Sequence, residues 1–382
     1  MDPTSLALEI ARDLGFDLAG VAPLAPPPRA GEFEAWLEAG RHGSMAYLER
    51  QRERIVDPGR VLEGGRSLLV VGLGHARSAV ELPGGARVAR YAAGRDYHNV
   101  VGKRLDRLRR RLEAEGLLGP FRRVVDAGPL LERSHAAVAG LGAESKAANL
   151  LAPRFGPWFF LGELLLGQEL DPTPPPADPS ALPNCGTCTA CLDVCPTDAI
   201  TAPGEVDARR CLSHATIEDR GLPPHALREG LGPWVFGCDL CSEVCPWGHG
   251  APDGSELFGL HRELEDEGDG GPHPQLRRWL GQGEEEFPER LNGSPLQRPR
   301  RDGLARNAAL VLGHLPSAEG RMALEAALEG DPSPVVRAAA GWALLLGHAG
   351  EAGAREAVDR ALSREADPGA REDLRRSLDR SS

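Results

Sequence analysis

The 382-residue sequence has no cysteine outside residues 185–245, and it lacks the features of several broad protein classes. No apolar run approaches the length that spans a bilayer, since the most apolar stretch, Trp158–Gly167, is interrupted by Glu163. The first residues, MDPTSLALEI, contain neither the basic nor the apolar segment of a secretory signal. We therefore expect a cytoplasmic protein with reduced thiols, no membrane association and two or three domains.

Net positive charge is also absent, because 44 Lys and Arg residues face 56 Asp and Glu residues, which leaves a net charge of −12. This balance argues against a general binder of polyanions. Two basic segments, Lys103–Arg111 and Arg298–Arg306, nevertheless stand out as candidate contacts to nucleic-acid phosphates. The alternative for KRLDRLRRR is the solvated face of an ordinary helix.

The eight cysteines form two bursts, CGTCTACLDVCP from Cys185 and CDLCSEVCP from Cys238, with Cys211 between them. In a CxxCxxCxxxCP run, three thiolates bind one iron–sulfur cube and the fourth binds a neighbouring cube. Two [4Fe-4S] clusters need eight thiolates, which is the number present. The spacing predicts one cluster on Cys185, Cys188, Cys191 and Cys245, and a second cluster on Cys195, Cys211, Cys238 and Cys241.

A disulfide framework and structural zinc are the two alternatives for these cysteines. Disulfides are typical of short secreted chains, whereas this chain is long enough to bury a core. A proline directly after the last cysteine of each burst favours iron–sulfur clusters over zinc. The cysteines therefore predict a protein that transfers electrons.

The distribution of apolar residues, prolines and glycines divides the chain into segments. Residues 1–169 alternate predicted strands and helices, including a long basic helix at Val100–Leu118, which indicates an α/β layer domain. Residues 170–183 are rich in proline and predict a stiff connector. The cysteine module occupies residues 184–250, and the glycine-rich, acidic residues 251–271 predict a linker.

Residues 272–382 predict a domain built from helices. Arg306–Leu312 and Arg337–Ala343 share an arginine followed by small or apolar residues three and six positions later. Asp331-Pro-Ser-Pro precedes the second copy as a turn and helix start. These alanine-rich helices are typical of a short HEAT-type repeat, and an ordinary helical bundle is the alternative.

An electron-transfer module alone needs only a short chain, so most of this chain must have another function. Three stretches before the cysteines contain candidate residues for it. RYAAGRDYH, which starts at Arg90, places ring and hydrogen-bonding side chains just before the basic helix. VVDAGPLLER places Asp126 at the carboxyl end of a predicted strand, where open α/β sheets bind ligands. AGLG at 139–142, followed by Lys146, is a turn where a backbone can approach a large cofactor.

The order and spacing of these motifs resemble those of the epoxyqueuosine reductases. The motifs, in chain order, are RYAAGRDYH, VVDAGPLLER, AGLG with its lysine, GPWFFLGEL, CGTCTACLDVCPTDAI, RCLSHATIE and FGCDLCSEVCPW. The resemblance covers residues 6–247, and the HEAT-like tail matches the usual C-terminal part of that family. It implies an α/β cobalamin-binding domain similar to that of the reductive dehalogenases, a bacterial ferredoxin-like two-cluster module and an all-α HEAT-like domain.

The resemblance also implies a reaction. Electrons would pass through two [4Fe-4S] clusters to cobalamin, and the epoxide of epoxyqueuosine in a tRNA anticodon loop would be reduced to an alkene with release of water. Ring opening leaves an alkoxide that needs a proton donor, and Asp126 matches the catalytic acid of the family. A carboxyl group donates near neutral pH only if desolvation raises its pKa, so we expect Asp126 to be buried. The positions matching the cofactor side are Tyr97, His98, Asp126, Lys146, Ser213 and His214.

The sequence departs from the family pattern at two places. Ala143–Ala147 keeps the lysine but lacks the glycine and tryptophan of many relatives. His214 stands where a tyrosine is common, and we expect it to form a hydrogen bond rather than to coordinate cobalt. The difference at Ala143–Ala147 changes how this loop would contact the cofactor or the nucleoside. It does not affect the cluster ligands or Asp126.

Two other functions are compatible with the same residues: a dehalogenase-like reductase of a small molecule, and an electron-transfer module of a larger complex. The helical tail favours a macromolecular substrate, and Asp126 favours catalysis over simple electron relay. We therefore expect tRNA carrying epoxyqueuosine as the substrate, an unidentified low-potential electron donor, and a monomer.

The two predicted clusters imply a specific metal content. Protein purified without oxygen should contain about eight iron and about eight sulfide ions per chain, because each [4Fe-4S] cluster contains four of each. Iron analysis and acid-labile sulfide analysis measure both quantities. A colourless protein that contains only zinc would contradict the cluster assignment.

Overall fold

The structure, a computed structural model, describes residues 2–75, 79–174, 178–252, 258–265 and 270–380. The chain forms two compact units. Unit 1 comprises Met1–Ser78, Arg95–Arg209 and Asp239–Gly259, and unit 2 comprises Ala79–Gly94, Arg210–Cys238 and Leu260–Ser382. The domain boundaries expected at residues 169, 183, 250 and 271 stay a prediction.

Helices and strands follow one another along both units. The α-helices are α1 (Pro3–Asp13), α2 (Ala30–Glu38), α3 (Ala46–Arg50), α4 (Arg52–Val56), α5 (Tyr97–Ala114), α6 (Glu132–Val138), α7 (Ala190–Asp193), α8 (Leu212–Ile217), α9 (His225–Glu229), α10 (Leu240–Glu243), α11 (Arg262–Glu265), α12 (Pro274–Gly281), α13 (Glu286–Arg290), α14 (Arg300–His314), α15 (Ala318–Gly330), α16 (Pro334–Gly347), α17 (Ala354–Arg364) and α18 (Pro368–Arg380). The strands are β1 (Leu18–Pro23), β2 (Ser67–Gly74), β3 (Val80–Glu81), β4 (Arg87–Val88), β5 (Phe121–Val124), β6 (Ala143–Glu144), β7 (Leu150–Leu151), β8 (Phe159–Leu166), β9 (Ile200–Ala202), β10 (Glu205–Val206) and β11 (Trp234–Phe236). Among the described residues, no helix is long and apolar enough to cross a membrane.

A four-stranded sheet of order β1-β2-β8-β5 forms the centre of unit 1. Each neighbouring pair is antiparallel. Every residue of β2 is buried, as expected for a central strand covered on both faces. The rule that ligands bind at the carboxyl ends of strands applies to open parallel sheets, so it does not explain the position of Asp126 in this antiparallel sheet.

Helix α5 covers one face of the sheet and α6 packs against the strands from their other face. The buried residues of α5 follow a helical period and include Val101 and Leu105, while the basic side chains lie on the opposite, exposed side. Gly162 in β8 permits this packing, because a Cβ there would lie 2.8 Å from Val101 and 3.0 Å from Leu105. The helix axis therefore lies close to β8.

Unit 2 is built mainly from helices around one apolar core. Helices α14 and α16, which carry the two predicted repeat motifs, pack directly against each other. Gly313 allows close approach, since a Cβ at this position would lie 2.8 Å from the backbone of Ala343. Trp279 of α12 is fully buried in the same core.

The prediction that Arg298–Arg306 forms a basic surface is wrong for two of its arginines, which are buried. Arg301 is 4% exposed, and its two terminal nitrogens donate to the Asp331 carboxylate at 2.8 and 2.5 Å. Arg306 has no exposed surface, and it donates to backbone carbonyls of Ala215, Asp219 and Gly221. Arg298 is exposed but forms a two-pronged ion pair with Glu218. These arginines join helices of unit 2, because a guanidinium can satisfy several acceptors at once.

Arg306 should contribute strongly to stability. Burial lowers its pKa to about 10, and Arg306→Met would remove the charged donor from three carbonyls. We expect the free energy of unfolding to fall by about 3 kcal/mol. Arg376→Met, at an exposed position of α18, is the matched control and should change it by less than about 0.5 kcal/mol. Denaturant unfolding measures both, and equal effects would contradict the structural role of Arg306.

Candidate active site

Asp126 occupies a sharp turn between β5 and α6. Its φ of 54° lies in the left-handed region, which residues other than glycine adopt uncommonly. The backbone N–H of Asp126 donates to Oε1 of Glu132, the first residue of α6, at 2.7 Å. Gly128 keeps the turn tight, since a Cβ there would lie 2.2 Å from Val124. The sequence DAGPLLE thus fixes the backbone that presents the Asp126 carboxyl.

Three of the predicted residues converge at this carboxyl. Tyr97 donates its hydroxyl proton to Oδ2 of Asp126, and Nε2 of His98 lies 3.4 Å from the same oxygen. Tyr97 and His98 begin α5, which brings them beside the end of β5. The structure therefore unites residues that lie 28 and 29 positions apart in the sequence.

Asp96 fixes the His98 ring from the other side. Its Oδ1 accepts the backbone N–H of His98 at 3.0 Å and lies 2.8 Å from ring Nδ1. Burial opposes a charge on the ring, but hydrogen bonds with Asp126 and Asp96 outweigh burial and raise the pKa of His98 to about 9. His98 is therefore an imidazolium at neutral pH, held between two carboxylates.

An aromatic stack supports Tyr97. Its ring is 4.4 Å from that of Phe160, centroid to centroid, with only 2° between their planes. Phe160 in turn contacts the rings of His75 at 4.2 Å and Phe258 at 4.9 Å. Because these rings are packed on one another, the direction of the Tyr97 hydroxyl is fixed.

The expected burial of Asp126 is wrong in this structure. Its side chain is 60% exposed. The physical reason is its position directly after β5, an edge strand whose residues Phe121–Arg123 are exposed. The carboxyl is thus held by Tyr97 and His98 on one side and open on the other.

The sequence interpretation missed two further carboxyl groups, those of Glu132 and Glu163. Glu163 lies in the middle of β8 with no exposed surface. Burial and then the charge of Asp126 raise the pKa of Glu132 to about 7. Burial and then the charge of Glu132 raise the pKa of Glu163 well above its usual range. The one available signal was the acidic residue that interrupts the most apolar stretch of the chain.

Lys146 contacts the first cysteine burst. Its Nζ donates to the carbonyl oxygens of Gly186 at 2.8 Å and Cys188 at 2.9 Å. It belongs to the loop between β6 and β7, in which Ala148 adopts a φ of 59°. The altered loop of this chain therefore meets the cysteine segment through its retained lysine.

Four of the predicted cluster ligands lie near one another within unit 1. Burial raises the pKa of Cys191, and the charges of Cys185, Cys188 and Cys245 raise it further. All eight cysteines of the chain are thiols and not disulfides. In the described parts of the chain, no three His, Cys, Asp or Glu side chains are arranged around a single metal ion. The mutual effect of the four thiols fits the ligand set predicted for the first cluster.

The remaining predicted ligands and cofactor residues are distributed over both units. Cys195 and Cys241 belong to unit 1, and Cys211 and Cys238 belong to unit 2. Within unit 2, Ser213 of α8 donates to the carbonyl oxygen of Cys238 at 3.4 Å. His214, the next residue, is buried. The second ligand set stays a prediction, as do the roles of Ser213 and His214.

Comparison with known protein families matches two segments of the chain. Residues 184–248 match the family described as "4Fe-4S double cluster binding domain". This range includes all eight cysteines. Residues 56–127 match the family described as "Epoxyqueuosine reductase QueG, DUF1730" and end just after Asp126.

Characterised relatives and solved structures resemble almost the whole chain. The epoxyqueuosine reductase of Pseudomonas aeruginosa is 40% identical over 90% of this chain and 95% of its own, and that of Xanthomonas campestris is 38% identical over 90% and 96%. An epoxyqueuosine reductase crystallised with an epoxyqueuosine-modified tRNA stem loop has a TM-score of 0.83 and 27% identity, covering 98% of this chain and 97% of its own. The Bacillus subtilis epoxyqueuosine reductase, with its catalytic aspartate loop swung out of the active site, has a TM-score of 0.82 and 26% identity, covering 98% of each chain.

The raised pKa of His98 predicts a stability difference that depends on pH. Folding raises this pKa from 6.5 to about 9, so the stabilisation is complete below pH 6.5 and is lost as the pH rises through 9. His98→Gln should therefore be less stable than the unmodified protein at about pH 6, and the difference should shrink by about pH 9.5. Denaturant unfolding at both pH values measures this stability difference, and His249→Gln, at an exposed position, is the control. A difference independent of pH would contradict the charged state of His98.

Proposed function

We propose how the site works from the premise that this chain belongs to the epoxyqueuosine reductase family, which relatives 38–40% identical over 90% of the chain establish. The protein reduces epoxyqueuosine to queuosine in tRNA. Its double-cluster domain binds iron–sulfur clusters. Of the three functions compatible with the sequence, the relatives select the tRNA-modifying reductase. The roles of single residues and of a further cofactor are the proposals that follow.

The chemistry sets what the residues must provide. Reduction of an epoxide to an alkene consumes two electrons and two protons, breaks both carbon–oxygen bonds and releases the oxygen as water. The oxygen becomes an alkoxide when the first bond breaks, and an alkoxide is a poor leaving group until it is protonated. A positioned acid therefore accelerates the reaction.

Asp126 is the proposed proton donor. The observation that carries this assignment is that Tyr97 and His98 both contact Oδ2 of Asp126 while the carboxyl stays open on its other side. A group that is held by the protein and open to a substrate has the geometry of a general acid. A catalytic aspartate loop in the related Bacillus subtilis structure supports the assignment.

His98 is the proposed source of the proton that Asp126 delivers. The imidazolium carries a proton at neutral pH, and its Nε2 lies 3.4 Å from Oδ2 of Asp126. The alkoxide is a much stronger base than either side chain, so a proton moves from Nε2 to Oδ2 and from there to the substrate oxygen. Asp96 then stabilises the charge and orientation of the ring throughout, because it holds Nδ1.

Cobalamin is the proposed reactive cofactor, and the residues around Asp126 fit a large flat group. The Tyr97 ring is stacked on those of both Phe160 and His98, which makes a rigid layer of rings, and the site is open at His98 and Asp126. Tyr97 and His98 would hold the cofactor, with Ser213 and His214 as further proposed contacts. Bound cobalamin would supply a strongly nucleophilic metal centre of low potential.

Lys146 is better placed for a role beside the first cluster than for direct contact with cobalamin. Its two hydrogen bonds go to the carbonyls of the cysteine loop. A cation near an iron–sulfur cluster stabilises the reduced, more negative state. The reductive-dehalogenase-like and HEAT-like descriptions of the two larger domains, the monomeric state and a low-potential electron donor also remain proposals.

The exposed side of α5 is the proposed contact to tRNA phosphates. Lys103, Arg107, Arg110 and Arg111 are exposed and recur at helical spacing, so they lie along one face. Such a face is suited to the backbone of a tRNA stem loop, the ligand named for the related structure, since phosphate contacts need exposed cations. The Arg298–Arg306 segment is a poorer candidate, because Arg301 and Arg306 are buried.

Replacement of Asp126 tests the proton donor. Asp126→Asn keeps the size and the hydrogen-bond acceptor but cannot donate an acidic proton. With protein reconstituted with clusters and cobalamin, reduced, and given tRNA carrying epoxyqueuosine, we expect its turnover to fall about 100-fold or more. Mass spectrometry of the digested nucleosides measures queuosine formation.

The control for this experiment is Asp359→Asn, at an exposed position of α17. It should convert epoxyqueuosine at the rate of the unmodified protein. Equal rates for Asp126→Asn and Asp359→Asn would show that the proton comes from another group.

A further inference from the structure

Two carboxyl groups lie directly behind the turn that carries Asp126. Glu132 accepts the Asp126 backbone N–H through Oε1 at 2.7 Å. Glu163 of β8 is paired with Val124 of β5, and Val124 is two residues before Asp126 in the chain. Glu163 has no exposed surface, and among the described residues its carboxyl has only the Glu132 carboxyl as a hydrogen-bonding neighbour. A carboxyl group buried in this way needs a compensating interaction.

The groups around Glu163 indicate what that interaction is. The nearest charged groups that act on it are Glu132 and then Asp126, both of which are acids. Arg133 follows Glu132, but it donates to the carbonyl oxygen of Ala148. His98 contacts the side-chain carboxyl of Asp126, whereas Glu132 accepts the backbone N–H of Asp126. The charge of Arg133 lowers the pKa of Glu132, but burial and the charge of Asp126 outweigh it. Two adjacent carboxyls, of which Glu163 is fully buried and Glu132 half-buried, are stable when they hold one proton between them.

We propose that Glu132 and Glu163 share one proton and form a positioning pair that fixes the backbone of Asp126, and with it the place of the Asp126 carboxyl. The role in catalysis rests on the proposed function of Asp126 as proton donor. Glu132 and Glu163 are positioning residues, since they act on the Asp126 peptide and not on the substrate. The pair lies under a backbone in the left-handed region, where an anchor is needed because the conformation is unfavourable.

The pair also makes the anchor sensitive to pH. The pKa of Glu132 is raised to about 7 and that of Glu163 is raised further, in both cases by burial first. Above about pH 7 the pair loses its shared proton, and two adjacent carboxylates repel each other. The raised pKa values therefore mean that the stability of this turn falls as the pH rises from about 4.5 through 7.

Amide hydrogen exchange at Asp126, measured by fragmentation mass spectrometry on the full-length protein with its clusters and no substrate, tests the anchor directly. Glu132→Ala removes the acceptor, and we expect the Asp126 amide to exchange about tenfold faster or more. Glu132→Gln retains an oxygen acceptor and should remain within about threefold of the unmodified protein. Glu169→Gln, an exposed residue beyond β8, is the control. Unchanged exchange in Glu132→Ala would overturn the anchor.

Glu163→Gln tests the shared proton. A neutral amide cannot repel ionised Glu132, so exchange at Asp126, corrected for its intrinsic pH dependence, should no longer accelerate between about pH 6 and 8. The unmodified protein should show that acceleration. Glu163→Gln with the same pH dependence as the unmodified protein would overturn proton sharing, and iron content and unfolding confirm that the variant folds.

Turnover separates this inference from the proposed function. If both hold, Glu132→Ala lowers kcat about tenfold or more with little change in the KM for tRNA, and Glu132→Gln restores most of kcat. Faster exchange in Glu132→Ala together with full activity of Asp126→Asn would support the anchor while refuting Asp126 as the donor. Faster exchange with unchanged kcat in Glu132→Ala would refute the positioning role in catalysis.

Discussion

The packing of α5 against β8 is the constraint on which the site depends. Gly162 removes the side chain that would separate them, so Val101 and Leu105 lie directly on the strand. The same contact places the first residues of α5, Tyr97 and His98, beside the end of the neighbouring strand β5. One apolar interaction thus determines where a hydroxyl, an imidazolium and a carboxylate meet.

The titratable groups around Asp126 differ in their charge. On one side of Asp126, the His98 imidazolium lies between two carboxylates, which favour its charged form. Behind the turn that carries Asp126, burial favours the protonated forms of Glu132 and Glu163. Acids with different affinities for protons are thus brought together around one turn, and such arrangements are typical of sites that transfer protons. In the proposed reaction the clusters supply electrons and this region supplies protons.

Several features of the site could be predicted because they depend on local chemistry. Cysteine spacing indicates cluster ligands, since two thiolates in a CxxC unit necessarily lie close together. The motif around Asp126 and the pair Tyr97 and His98 could be selected from their resemblance to a family, and the structure brings all three together. The burial of Arg301 and Arg306 could not be predicted, because a basic segment has the same appearance whether its acceptors are solvent or distant carbonyls.

The sequence by itself determined the electron-transfer chemistry and the family, and it singled out the residue proposed as the acid, because these depend on residue types at short spacings. Tertiary structure alone decided that Asp126 is open, that Lys146 contacts the cysteine loop, and that Glu163 lies behind the turn. Each of these facts depends on which residues a strand or loop places side by side. Glu163 is 37 residues from Asp126 along the chain, and only the antiparallel pairing of β5 with β8 makes them neighbours.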